Sequence, residues 1–403
     1  MKRGRLFLAH HWHVVVLTAL VGLTIGEVSL AGTKGEWTGT WYAPPVTTST
    51  LTFNDQTIRE IVHISIPGTR IRVRLTNLFG TGLLAIGEVH VAIRATRSSI
   101  VPGTDRLLTF GGATSVNIPA GAPMLSDPAD LETRIFDDIA VSIYFPTDTG
   151  PSTVHGTGVQ TSYISGPGNY TADEQFPEEM TTTSRFFFAG VEVTPTEPFG
   201  AVVTLGDSIT DGTRSTTDTN NRWPDHLAVR LYENHQTMAV LNAGISGNRI
   251  LRDGAGPNAL ARFDRDVLVQ QDVTHVTLLE SINDIGQNCL NPDQGVTADQ
   301  LMVSIRQLIA RAHERHIKFI GATMTPFEGA SYFCEDGEAT RETINDWIRF
   351  GGEVDGVIDF DQAVRDPANP RRYLPFFDSG DHLHPNDYGY TVMAESIDLS
   401  LFQ

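Results

Sequence analysis

The chain has 403 residues, 40% hydrophobic and 19% charged, with 37 Gly and 21 Pro, a globular composition with room for two domains and much strand and loop. Its formal net charge of −19 argues against nucleic acid, whose phosphates attract basic surfaces, and against anionic membranes. An uncharged or cationic substrate fits better.

Residues 1–31 read as a signal peptide. Lys2, Arg3 and Arg5 make a basic start, "VVVLTALVGLTI" (14–25) is an apolar run, and Ser29 and Ala31 offer small residues for cleavage. The run is short for a membrane span, and an uncleaved anchor is the alternative. No cysteine follows the cleavage site to carry a lipid. The expectation is a secreted or periplasmic protein, more acidic still after cleavage and without stable membrane insertion. The histidines of "HHWH" (10–13) leave with the peptide and do not point to a metal.

Residues 35–195 follow a period of two. "TRIRVRLTN" (69–77) alternates Arg70, Arg72 and Arg74 with Ile71, Val73 and Leu75; "EVHVAI" (88–93) and "IAVSIYF" (139–145) behave alike. Turn formers such as "IPGT" (66–69) and "FGGAT" (110–114) separate them. Alternation predicts antiparallel sheets with one wet face, and many short strands predict a β-sandwich, jelly-roll-like in form. The arginine stripe reads as a solvated face; a site for an anionic sugar is the alternative.

After the Pro-rich stretch 194–200 the rhythm changes. Apolar strands are expected at 201–205, 238–244, 275–281, 318–324 and 356–360. Helices are expected at 223–234, 259–268, 298–315 and 338–350, and again from Asn386. Such alternation predicts a three-layer α/β/α domain with a parallel sheet over 200–403. Trp347 and Ile348 read as the core face of one helix. His313 and His316 lie among charges and read as solvated.

In open parallel sheets, ligands bind beyond the carboxyl ends of the strands. Ser208 stands just past the first strand, in "GDS", a place for a nucleophile; a plain turn serine is the alternative. The second strand ends in "NAGISGNRI" (242–250), where Gly247 can present an uncrowded N–H. The third ends in "SINDIG" (281–286), where Asn283 offers an amide donor or caps the next turn. After the fifth comes "DSGDHLHPND" (378–387), with Asp381 and His384 three apart. That spacing lets the carboxylate orient the imidazole, leaving the other ring nitrogen as a base for a serine hydroxyl. The N–H groups of Ser208 and Gly247 and the amide of Asn283 are the candidate oxyanion donors. Asp207 and Asp284 read as structural. His382 beside His384 resembles a zinc pair but lacks a third ligand. Cys289 and Cys334 form an even count, which in an exported protein points to a disulfide; two buried thiols are the alternative.

These four blocks, in this order, resemble the SGNH (GDSL-type) hydrolase superfamily. The resemblance implies Ser208 as nucleophile, Gly247 and Asn283 as oxyanion donors, and Asp381 and His384 as the rest of the triad. One position departs: Ser281 stands where the family's GxND block has glycine. A β-sandwich before such a domain is similar to a group of exported bacterial esterases, lipases and carbohydrate deacetylases. The expected function is an exported serine esterase for small, short-acyl carboxylic esters, with no metal or organic cofactor. No long apolar lid segment is in view. Alternatives are a deacetylase of acetylated polysaccharide, or a glycan-binding protein whose hydrolase half is inactive.

Overall fold

Burial along Gly68–Thr76 follows the alternation: Ile71, Val73 and Leu75 are fully buried, while Arg70, Arg72 and Arg74 take the other face. The computed structural model describes Met1 and residues 36–403; the leader read over 1–31 lies, Met1 apart, outside the described residues. The first half is a β-sandwich of antiparallel strands. One sheet runs Thr38–Tyr42, Phe188–Thr194, Gly68–Thr76, Pro123–Leu125, with Ala129–Thr133 also pairing to Gly68–Thr76. The other runs Glu178–Thr182, Ser162–Pro167, Gln56–His63, Asp138–Phe145, Glu88–Thr96, Ser99–Ile100. Ile71, Val73 and Leu75 of the first join Ile58, Val91 and Val141 of the second in one core.

The arginine stripe is not simply solvated. Arg72 and Arg74 both reach Glu192 on the neighbouring strand, at 2.5 and 2.6 Å, and Arg72 lies 4.3 Å over the Trp37 ring. Arg70 pairs with Glu36 at 2.7 Å. The sheet consumes these charges itself.

The second half has five parallel strands: Gly200–Gly206, Met238–Gly244, Val273–Leu279, Lys318–Ala322 and Gly356–Ile358. Counted along the chain, their order in the sheet is second, first, third, fourth, fifth, so the order reverses between the first and third. Gly206 is level with both Gly244 and Leu279, which brings three strand ends to one edge. Trp223–Glu233, Ala298–His313, Glu335–Phe350 and Asp387–Glu395 are helical, each within three residues of its expected start. Two details differ from expectation. The stretch 259–268 is a short helix, Ala259–Phe263, that widens into a π-helical turn, Asp264–Leu268. A further helix, Ile282–Leu290, starts at once after the third strand, where only a turn was read.

Met238–Gly244 is one of the sheet's two edge strands, and the sandwich covers it. The Val240 N–H donates to Ser65 Oγ at 3.1 Å, and a side chain at Gly39 would meet Leu241 at 2.9 Å. An exposed edge is a template for unwanted pairing, and this cover blocks it along Met238–Gly244. Among the described residues no helix is long and apolar enough to cross a membrane.

Cys289 and Cys334 are joined as a disulfide, Cα–Cα 5.8 Å, across 45 residues of sequence. It ties helix Ile282–Leu290 to the N-terminus of Glu335–Phe350. Closing such a loop restricts the unfolded chain, so the Cys289→Ser/Cys334→Ser double variant should lose about 2–4 kcal/mol. Urea unfolding reads this as a lower midpoint; an unchanged midpoint contradicts it.

Candidate active site

The apolar strand Gly200–Gly206 delivers Ser208 to the sheet edge. A Cβ on Gly206 would sit 2.2 Å from Thr210 Oγ1 and 2.6 Å from the Leu279 carbonyl, so only glycine permits so tight a bend. Asp207 caps the short helix Ser208–Asp211, its Oδ1 accepting the Ile209 N–H at 2.9 Å. Ser208 is thereby held at the first helical position, 5% exposed.

The loop between the last strand and helix Asp387–Glu395 brings Asp381 and His384 to it. His384 Nε2 lies 2.8 Å from Ser208 Oγ, and His384 Nδ1 lies 2.8 Å from Asp381 Oδ2. Asp381 Oδ1 accepts the N–H groups of His384 and Leu383 at 2.9 and 3.1 Å. Burial works to raise the Asp381 pKa, but these N–H groups and the His384 ring outweigh it and hold the carboxyl well below the usual range. A carboxylate that stays charged fixes the proton on Nδ1 and leaves Nε2 to accept the serine proton. Exposed Arg214 also touches Asp381 Oδ2, at 3.1 Å.

Gly247 sits in the turn Ile245–Asn248, closed by the Asn248 N–H on the Ile245 carbonyl at 3.0 Å. Its φ of 80° is a left-handed conformation that suits glycine, and a Cβ there would crowd Ala255 at 3.0 Å. Among the described residues neither the Ser208 nor the Gly247 N–H has a hydrogen-bond partner. Asn283 donates one amide hydrogen to the Asn248 carbonyl at 3.0 Å and accepts from Tyr332 Oη at 3.2 Å. Its second amide hydrogen remains available to a ligand. Ser281 caps helix Ile282–Leu290 with φ 98°, fully buried, its hydroxyl without a partner. The residue that departs from the glycine pattern therefore carries both backbone strain and an unsatisfied oxygen.

Beneath this edge lies a buried polar floor that the sequence did not announce. Arg262 donates to the Gly206 carbonyl (2.9 Å), the Ala243 carbonyl (2.7 Å), Asn248 Oδ1 (2.9 Å) and Asp266 Oδ2 (3.0 Å). In sequence it is one of two cations in "ALARFDRDVL"; only its helical spacing from Asp266 hints at a pair. Asp284 accepts the N–H groups of Ile250 and Leu251 at 2.7 and 3.1 Å, and burial still pushes it up to about 6. Glu280 and Asp207 lie together. With both charged, neither Glu280 oxygen meets a donor. Burial, then Asp207, raises Glu280 well above the usual range, so Glu280 keeps its proton and donates it to Asp207.

His382 stays outside the Ser208–His384–Asp381 chain, bonded to Asp378 Oδ2 at 2.5 Å. Among the described residues no group of three or more His, Cys, Asp or Glu side chains is placed to hold a metal ion.

A buried parallel sheet with a serine–histidine–carboxylate chain at its carboxyl edge defines a hydrolase of the α/β/α class. Residues 204–392 match the GDSL-like Lipase/Acylhydrolase family, so this half is a GDSL-type ester hydrolase domain. A comparison with curated proteins gives no match. Solved structures similar to the chain include a GDSL-like lipase from Bacteroides thetaiotaomicron, 19% identical over 50% of this chain and 87% of that one, TM-score 0.37. Another is the acetyl xylan esterase AlAXEase, 21% identical over 49% of this chain and 96% of that one, TM-score 0.38. A third is a mutant of the acetyl-xylooligosaccharide esterase Axe2 from Geobacillus Stearmophilus, 21% identical over 49% of this chain and 91% of that one, TM-score 0.39.

Two outcomes follow from the floor. Ser281→Gly removes the strained φ and the orphaned hydroxyl, so it should raise stability by about 1 kcal/mol, read from the denaturant midpoint. No gain would place the strain elsewhere. Glu280 has a raised folded pKa, so its stabilisation is full below the unfolded value and fades as pH rises. Glu280→Gln keeps a donor for Asp207 without that ionisation. Its melting temperature relative to wild type should climb as pH rises above the usual carboxylate range; a flat difference rejects the neutral Glu280.

Proposed function

We propose that this protein is an exported serine esterase acting on short-acyl carboxylic esters. Ser208 attacks the ester carbonyl, His384 takes its proton, and Asp381 orients and stabilises the resulting imidazolium. The N–H groups of Ser208 and Gly247 and the amide of Asn283 receive the oxyanion. His384 returns the proton to the leaving alcohol, then activates the water that releases the acid. The observation that carries this reading is the unbroken chain Ser208 Oγ–His384 Nε2 and His384 Nδ1–Asp381 Oδ2, 2.8 Å at each step. Export rests on the basic, apolar and small-residue pattern of 1–31 together with the disulfide.

A second reading is a deacetylase of acetylated carbohydrate. Phe376, on the loop that carries Asp381 and His384, packs its ring 4.9 Å from Tyr388, and both side chains are exposed. Flat, exposed aromatic rings suit the apolar faces of sugars.

Hydrolysis of p-nitrophenyl acetate, butyrate and decanoate tests the first reading. Turnover should favour acetate and butyrate. Ser208→Ala should lose about a thousandfold or more of kcat/KM, and Asn283→Ala about 10²–10³-fold in kcat. Equal activity of Ser208→Ala and wild type would move the nucleophile elsewhere. Turnover of acetylated xylan with little on the simple esters would select the second reading.

A further inference from the structure

His155 ends strand Ser152–His155 in the sandwich half, yet its ring reaches the nucleophile helix. Its Nε2 lies 3.0 Å from Asp211 Oδ1, and its Nδ1 lies 2.9 Å from the Pro44 carbonyl. Both partners of this ion pair are almost wholly buried, with side chains 4% and 3% exposed. Asp211 is the last residue of the helix that Ser208 begins. Its other oxygen, Oδ2, accepts both the N–H and the hydroxyl of Ser246, at 2.8 and 2.7 Å. Ser246 directly precedes Gly247, and its hydroxyl also meets Thr213 Oγ1 at 2.8 Å. One carboxylate thus spans the two backbone segments that offer the unpaired N–H groups of Ser208 and Gly247. A side chain at Gly244 would stand 2.2 Å from the Asp211 N–H nitrogen, so the strand below supports the same junction closely.

A carboxylate this deep needs a partner that fixes its plane. Without one, Asp211 would turn or admit water, and the Ser246–Gly247 turn would lose its anchor. Burial alone would lower the His155 pKa, but Asp211 raises it above its ordinary value, which favours the charged ring that the pair requires.

We propose that His155 is a positioning residue contributed by the β-sandwich half, which through Asp211 and Ser246 sets the oxyanion-donating N–H groups of Ser208 and Gly247. This rests on the reading of Ser208 as nucleophile. It gives the sandwich a direct part in the chemistry: the donors are pre-set before substrate arrives, and a small displacement of either weakens oxyanion binding more than substrate binding.

The two ring nitrogens allow a clean test. His155→Gln places an amide near the Nε2 position and keeps the contact to Asp211. His155→Asn keeps the contact to the Pro44 carbonyl and loses Asp211. With p-nitrophenyl acetate and full-length variants, His155→Asn should lower kcat about tenfold or more with KM within about twofold, while His155→Gln stays near wild type. Combining His155→Asn with Ser246→Ala should cost less than the product of the two single effects, because they act along one path. Equal kcat for the Gln and Asn variants, or full multiplicativity with Ser246→Ala, overturns the proposal. Asp211→Asn is the second variant should His155→Asn fail to fold, and a kcat within twofold of wild type there overturns it as well. Ser208→Ala assayed alongside separates the cases: if it too retains activity, the nucleophile assignment has failed, not the positioning role.

Discussion

The active edge depends on one buried guanidinium. Arg262 is 1% exposed and bonds the ends of two parallel strands, through the carbonyls of Gly206 and Ala243. It also holds Asn248, whose own carbonyl takes the amide of Asn283, and it pairs with Asp266. A charge in that place has no access to water, so every donor must find an acceptor in fixed geometry. The strand ends that carry the proposed nucleophile and both remaining oxyanion donors are therefore tied to one rigid group. Removing it would take a donor from the Gly206 and Ala243 carbonyls and from Asn248, and would leave Asp266 to Arg265 and Tyr42 alone.

The same cluster joins the halves of the molecule. Asp266 also accepts from the Tyr42 hydroxyl, at 2.6 Å, from the first strand of the sandwich. Ser65 closes the edge strand Met238–Gly244, and His155 reaches Asp211. The sandwich is thus part of the walls and support of the parallel sheet, and its core is continuous with that sheet's: Ile71 and Val73 belong to the same apolar cluster as Val203 and Leu241. Two layers that share a core transmit the position of one to the other, because packed interiors do not deform gradually.

The floor is unusually acidic for a buried region. Asp207, Glu280 and Asp284 stand together with Arg262 as the nearby cation, and burial pushes Asp207 up to about 7. A neutral Glu280 resolves the crowding by donating to Asp207, whose Oδ1 caps the Ser208 helix. The bend before Ser208 is thus held by a short hydrogen-bonded chain and not by a second buried charge. Ser281, strained at the neighbouring position, sits where a glycine would relax the backbone. Strain of this kind persists where surrounding packing over-determines the conformation.

Much of this was legible along the chain, because periodicity and motif order are local properties. The alternation of Arg70, Ile71, Arg72 and Val73 marked an antiparallel sheet, and the apolar runs ending at Gly206, Gly244 and Leu279 marked parallel strands within a residue or two. The candidates Ser208, Gly247 and Asn283 were recognisable just past the close of such elements, since a strand end beside a turn former is visible in the letters themselves, and the Asp381–His384 pair stood out by its spacing of three. Helix Ile282–Leu290 escaped, because its first residues read equally as a turn. The tertiary structure alone decided which charged residues are interior. Arg262, Glu280, Asp211 and His155 look like any surface charge in sequence, and the contacts that define them span 56 residues from His155 to Asp211 and from Gly206 to Arg262, and 111 from Pro44 to His155. Burial and pairing across such separations follow from how the sheets close on each other, which no local pattern encodes.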